Sequence, residues 1–166
     1  MRPLGLLRLF CLLCLIAAGC SDGPDSYGDD PADLQLPPRG TADFLAWVEE
    51  GHYLAWSCEA EAHPPRPRSG HGRNRICSND ALAAAATGEG PYPVGAAAVK
   101  EVLDDAGGIR LYAVYRKVEA GDGGDSWYWF EGSRDRVVAN GEGDGTCTGC
   151  HASAPRDFVF TVVPAS

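Results

Sequence analysis

Ala96-Ala97-Ala98-Val99-Lys100-Glu101-Val102-Leu103, a turn at Gly107-Gly108, then Ile109-Arg110-Leu111-Tyr112-Ala113-Val114-Tyr115-Arg116-Lys117-Val118: these two runs decide the fold. In an extended chain successive side chains point to opposite faces, so alternation reads as sidedness. Ala96, Ala98, Lys100 and Val102 share one face of the first run, and Ala97, Val99, Glu101 and Leu103 share the other. In the second run Ile109, Leu111, Ala113, Tyr115 and Lys117 face one way. Neighbouring strands joined by a glycine turn pair antiparallel. The flexible turn Gly121–Asp125 leads to a third strand, Ser126-Trp127-Tyr128-Trp129-Phe130, whose aromatics read as core or pocket wall. Asp157 to Val163 is expected to be a last strand, and Tyr53–Ser57 and Asn74–Ser78 two earlier ones. Thr41 as N-cap, an apolar face of Phe44, Leu45, Trp47 and Val48, and a stop at Gly51 predict a short helix. Asn79 is placed to cap a second helix over Asp80–Ala86. The expected class is α+β: mainly antiparallel sheet with a few flanking helices, in one domain.

The chemistry-bearing motif lies near the end, at Cys147-Thr148-Gly149-Cys150-His151. Cys-x-x-Cys-His is the attachment signature of c-type haem. Two thiols one helical turn apart can each add to a vinyl group on one edge of the ring, and the adjacent imidazole then takes the proximal iron position. The predicted cofactor is one covalent haem c per chain, with Cys147 and Cys150 as attachment points and His151 as the iron ligand. Two other readings compete. A thioredoxin-like redox pair would open a helix in a βαβ unit, and no such pattern is visible. A zinc site needs a second Cys/His pair, which the widely spaced Cys58 and Cys77 do not supply.

Haem attachment of this kind belongs to exported proteins, and the amino terminus fits export. Arg2 and Arg8 give positive charge, Leu9–Ile16 is apolar, and Ala17-Ala18-Gly19 is a small-residue cleavage site. The apolar run is too short for a permanent membrane span. Small residues ending at Cys20 resemble a bacterial lipobox, in which that cysteine is acylated. Plain signal cleavage is the alternative, since Ala17 stands where leucine is preferred. Ser21 after the cysteine points to the outer membrane and the periplasm. The boundaries are then 1–19 signal peptide, 20–40 lipidated cysteine and tether, and 41–166 haem domain. Ser21–Gly40 carries five Asp, four Pro and three Gly, a composition that stays disordered. Without the signal, 12 Lys and Arg face 23 Asp and Glu, a net charge of −11. That excludes nucleic acid, and membrane contact other than through the lipid, and suits docking to a basic redox partner cytochrome.

Of the seven cysteines, Cys11 and Cys14 leave with the signal. Cys58 and Cys77 remain, as a disulfide closing the Glu59–Ile76 loop or as two buried thiols. Met1 is the only methionine, so the mature chain has none to serve as an axial ligand. A sixth ligand would have to be His52, His63, His71, a lysine or another weak donor. Histidines flanking a Pro/Arg loop read first as solvated residues, which leaves an open iron suited to small ligands.

The segments Gly95–Glu101, Ser126–Phe130, Cys147–His151 and Asp157–Thr161, in this order and spacing, resemble the cytochrome P-460 family, whose fold cytochrome c′-beta shares. The resemblance spans Tyr53 to the end. It implies an antiparallel sheet with flanking helices, a homodimer, and one five-coordinate c-type haem. In cytochromes P-460 a lysine on a Val-Lys-Glu strand is bonded to the porphyrin, and Lys100 is the matching residue. Read from the sequence alone, Lys100 is a strand lysine on an otherwise small, apolar face. Members with that crosslink oxidise hydroxylamine and bind nitric oxide. A distal arginine of the family matches Arg75 or Arg73. The family's distal glutamate, a general base, has no counterpart in Leu111–Lys117, where only Tyr112 and Tyr115 could hydrogen-bond. The resemblance therefore implies a small nitrogen-oxide ligand or substrate, either oxidised by an enzyme that uses Lys100 and Arg75 or captured by a gas-binding cytochrome. A simple electron carrier is the third reading.

Overall fold

A computed structural model of the chain describes residues 36–163 apart from Arg68. The expected signal peptide, Cys20 and most of the tether lie outside the described residues. No described helix is long and apolar enough to cross a membrane.

The class is α+β, a single domain built on one antiparallel sheet. Six strands run in sequence order: β1 Ser57–Cys58, β2 Asn74–Ser78, β3 Ala97–Leu103, β4 Ile109–Lys117, β5 Trp127–Gly132 and β6 Val137–Glu142. Each pairs with its neighbour, so the sheet is a meander. Among the described residues three α-helices accompany it: α1 Thr41–Glu49, α2 Asp80–Ala85 and α3 Gly145–His151. The alternation in β3 and β4 sets the register, with Val99 opposite Val114 and Lys100 opposite Ala113. Gly107 turns the chain between them at φ +88°, a left-handed conformation that favours glycine. Gly108 N–H donates to Asp104 Oδ1 at 2.8 Å.

Alternation gives the sheet two apolar faces. On one, Phe44, Trp47 and Val48 of α1, with Tyr53, pack on Cys77, Val99, Val114, Tyr128 and Phe130. The other gathers Ile76, Leu82, Ala98, Tyr115, Trp127, Trp129 and Val159. The aromatic run of β5 is thus divided, two rings to each face. Beneath α1, Glu101 accepts hydrogen bonds from Tyr53 Oη at 2.6 Å and from Arg75 Nε and an Arg75 terminal nitrogen at 2.8 Å each.

Four expectations change. Tyr53–Ser57 is not a strand: Gly51, at φ +76°, starts a 3₁₀ turn over His52–Ala55 that brings Tyr53 against Trp47, and only Ser57–Cys58 is extended. Thr41 does not cap α1; it is the first helical residue, and its hydroxyl accepts from Asn140 Nδ2 at 2.8 Å. Asp157–Val163 is not a strand, because positive φ at Asp157 and Phe158 leaves only an Arg156–Val159 bridge. Residues 36–40, read as tether, meet the domain: Pro37 is buried and its carbonyl accepts from Arg116 Nη1 at 2.9 Å. Strand β6 was not foreseen, since an edge strand with four exposed positions gives little alternation signal. Asn79 caps α2 as expected, its Oδ1 accepting from Leu82 N and Ala97 N at 3.0 Å each.

Cys58 and Cys77 are disulfide-bonded between adjacent strands, so the two-thiol alternative falls. The bridge closes a loop of 19 residues' separation. Loop-closure entropy assigns such a bridge about 3 kcal/mol. Replacing both cysteines by serine is expected to lower unfolding stability by roughly that amount in urea titrations, with the sheet's circular dichroism retained.

Candidate functional site

Across the sheet, Ile76, Lys100, Ala113 and Glu131 form one row, each paired with the next on β2, β3, β4 and β5. Ala98, Tyr115 and Trp129 form the next row on β3, β4 and β5. Together they floor a cavity of about 460 Å³. Its walls are α3, the loop from His63 to His71, and the segment Phe160–Thr161. That volume falls within the range of small-molecule and cofactor sites. The small Ala98 and Ala113 leave the space, and the strand alternation read from the sequence places Lys100 within it.

Asp144 positions α3: its Oδ1 accepts from Thr146 N at 2.9 Å and caps the helix. Cys147, Cys150 and His151 all line the cavity, and both thiols are free. His151 Nδ1 donates to the Phe158 carbonyl at 2.6 Å, which leaves Nε2 as the nitrogen with its lone pair. The imidazole sits among Trp129, Phe160 and Tyr115, with ring centroids 4.7, 5.4 and 6.4 Å away. Burial lowers its pKa to about 4, partly offset by the Phe158 hydrogen bond. At neutral pH the ring is uncharged and able to bind a metal.

Burial pushes the Cys147 thiol up to about 12, with the Asp144 carboxylate acting in the same direction. Redox pairs of the Cys-x-x-Cys type need the opposite shift. A zinc site finds no support in geometry either, since no group of three or more His, Cys, Asp or Glu side chains is arranged for a metal among the described residues. Haem iron asks for a single imidazole from this motif and is not bound by that requirement.

Lys100 lies under the cavity. Burial lowers its pKa to about 8, reinforced by the charge of Arg66 and opposed by Glu131 and Glu59. A fraction of its amine is therefore neutral and nucleophilic near physiological pH. Glu131 was not anticipated. Its Oε1 is 3.6 Å from His71 Nδ1, and His71 is the main influence holding its carboxyl below the usual range, against the effect of burial. The resemblance points to an acid on the strand Leu111–Lys117, which has none. The signal was in the next strand, where Glu131 continues the Trp127, Trp129 alternation.

Arg75 is corrected. Period-two alternation turns it to the α1 face, where both its hydrogen bonds go to Glu101, and neither it nor Arg73 lines the cavity. Among the described residues the arginine that does is Arg66, paired with Glu59. Tyr112 also belongs to the α1 face, edge-on to Phe44 and Tyr53. Tyr115 faces the cavity, but its hydroxyl donates to Thr161 Oγ1 at 2.7 Å. Of the candidate sixth ligands, His63 and His71 line the cavity. His63 is turned to its own loop, Nδ1 lying 2.6 Å from the Pro64 carbonyl and Nε2 3.1 Å from Glu59 Oε2. His52 contacts Glu50 Oε2 at 2.7 Å and stacks near Trp47, away from the site.

Compared with known proteins, the chain matches no family model and no curated sequence. The donor set nevertheless fits a haem c. Two thiols and a neutral, oriented imidazole open onto one cavity with a largely apolar floor. In the chain prepared without cofactor, iodoacetamide at pH 8 is expected to label Cys150 at least about tenfold faster than Cys147, read by peptide mass spectrometry. Faster labelling of Cys147 would restore the redox-pair reading.

Proposed function

We propose that this protein is an exported monohaem c-type cytochrome of the P-460 kind, acting on a small nitrogen compound with removable protons, hydroxylamine being the type case. The observation that carries the reading is the convergence of Cys147, Cys150, His151, Lys100 and Glu131 on a single cavity. Cys147 and Cys150 would hold the ring, and His151 Nε2 would hold the iron. Haem, when bound, supplies the redox centre that takes electrons from substrate and passes them to a partner cytochrome. Cys20 would carry the lipid that keeps the domain at the periplasmic face of the outer membrane.

The remaining residues have assignable work. Glu131, ionised at neutral pH, would accept protons from N–H and O–H groups of a bound substrate, and His71 beside it favours that ionised form. This supplies, from β5, the base that β4 lacks. Lys100, on the cavity floor, would be the residue placed for a third attachment to the ring. Arg66 on the cavity wall would favour a developing negative charge there. Capture of nitric oxide without turnover is the second reading, favoured by the small apolar patch of Ile76, Ala98 and Ala113 and needing no base.

The ferrous spectrum and the proteolytic haem peptide test the proposal first. A red-shifted Soret band, with the Lys100 peptide joined to the Cys147–His151 peptide through haem, is the expected result. A six-coordinate low-spin spectrum would instead mean histidine ligation and an electron carrier. Glu131→Gln is expected to lower hydroxylamine consumption, measured with an artificial electron acceptor, by about 10²-fold while nitric oxide binding persists. An unchanged rate in that variant would remove Glu131 from the chemistry. A wild-type rate no higher than free haem would leave the gas-binding reading.

A further inference from the structure

Among the described ion pairs, the most deeply buried stands behind the pocket: Lys117 and Asp157, whose side chains are 0% and 1% exposed. A charge taken out of water this completely is tolerated only where every polar atom is met. Lys117 Nζ donates to the Gly121 carbonyl at 2.5 Å, to Ser126 Oγ at 2.7 Å and to both Asp157 oxygens at 2.9 Å. The same carboxylate accepts from Tyr92 N at 2.7 Å and from Trp127 Nε1 at 3.2 Å. Neither Lys117 nor Asp157 lines the cavity.

What the pair fixes is a strained turn. Asp157 and Phe158 have φ of +42° and +63°, and Val159 N–H donates to the Arg156 carbonyl at 2.8 Å across them. A bulky residue held in the left-handed region persists only where its surroundings over-determine it. Here the Asp157 carboxylate is held from β4, β5 and the Tyr92 loop. The Phe158 ring is seated on Gly124, where an added Cβ would come within 2.8 Å of it. The product of this arrangement is one carbonyl, that of Phe158, aimed at His151 Nδ1.

We infer that Lys117 and Asp157 are positioning residues for His151: by fixing the Arg156–Val159 turn they hold the Phe158 carbonyl on Nδ1, and so set the tautomer and direction of the imidazole. The inference rests on the haem reading above. A histidine ligand whose second nitrogen donates to a fixed acceptor is oriented and made more basic. Loosening the turn lengthens that hydrogen bond and weakens the ring as a donor to iron, although nothing in the pocket has been altered.

The test is the iron–imidazole stretching band in resonance Raman spectra of the ferrous holoprotein, with the midpoint potential measured alongside. In Asp157→Asn the band moves to lower frequency and the potential rises. Trp127→Phe, which removes one hydrogen bond to the carboxylate, gives a smaller shift in the same direction. Tyr53→Phe, which removes a buried hydrogen bond to Glu101 on the opposite face, lowers stability and leaves band and potential at wild-type values. An unmoved band in a folded Asp157→Asn protein overturns the inference, as does an equal shift in Tyr53→Phe. Should Asp157→Asn fail to fold, Trp127→Phe carries the test, and an unmoved band there overturns it. Wild-type protein without covalent haem overturns the pocket reading and this inference together; haem present with an unmoved band overturns this inference alone.

Discussion

Antiparallel pairing in strict sequence order is the constraint on which everything else depends. With β2 to β5 locked in one register, each side chain is assigned to one of two faces, and a slip of one residue would exchange them. The α1 face is closed by rings from Phe44, Trp47 and Tyr53. The other face is covered only in part, by α2, α3 and the irregular C-terminal segment, and the uncovered middle is the cavity. The site is thus a gap in the covering of a sheet, floored by residues that alternation would otherwise have used for packing.

That origin explains the mixed character of the floor. Alanines at 98 and 113 withdraw volume, and the adjacent positions place an amine and a carboxylate at the edge of the space. A lysine and a glutamate this close to apolar surface would be a liability in an ordinary core. The lowered pKa of Lys100 follows from the same burial that makes the gap useful, whereas Glu131 is kept ionised by His71 against that burial. The imidazole is held differently, from outside the sheet, by a backbone carbonyl on an irregular turn.

Strands β3 and β4 were legible by alternation and β5 as an aromatic run after a glycine-rich turn, and Lys100 was legible because its face is otherwise small and apolar. The Cys147–His151 motif was legible as local spacing. What escaped reading depends on contacts far apart in sequence. Arg75 looked available until its face proved to hold Glu101, 26 residues on. Asp157 to Thr161 has a strand-like composition, and the groups that hold its first residue in a turn, Lys117, Trp127 and Tyr92, lie 30 to 65 residues away. Glu131 was not legible because its place beside the cavity comes from cross-strand pairing with Ala113.

The 19-residue span bridged by Cys58 and Cys77 encloses the Pro- and Arg-rich wall of the cavity, and its two ends are anchored independently of what lies between. Glu59 N–H donates to the Ile76 carbonyl, and His63 and Asn74 exchange backbone hydrogen bonds, so the loop leaves and rejoins the sheet at clamped points. Lengthening or rewriting residues between those clamps leaves the floor's register untouched, because surface loops tolerate insertion at small entropic cost. Wall and floor are in this sense separable inheritances. The sheet can hold Lys100 and Glu131 in place while the loop, outside His71 and Arg66, is free to diverge and reshape the space above them.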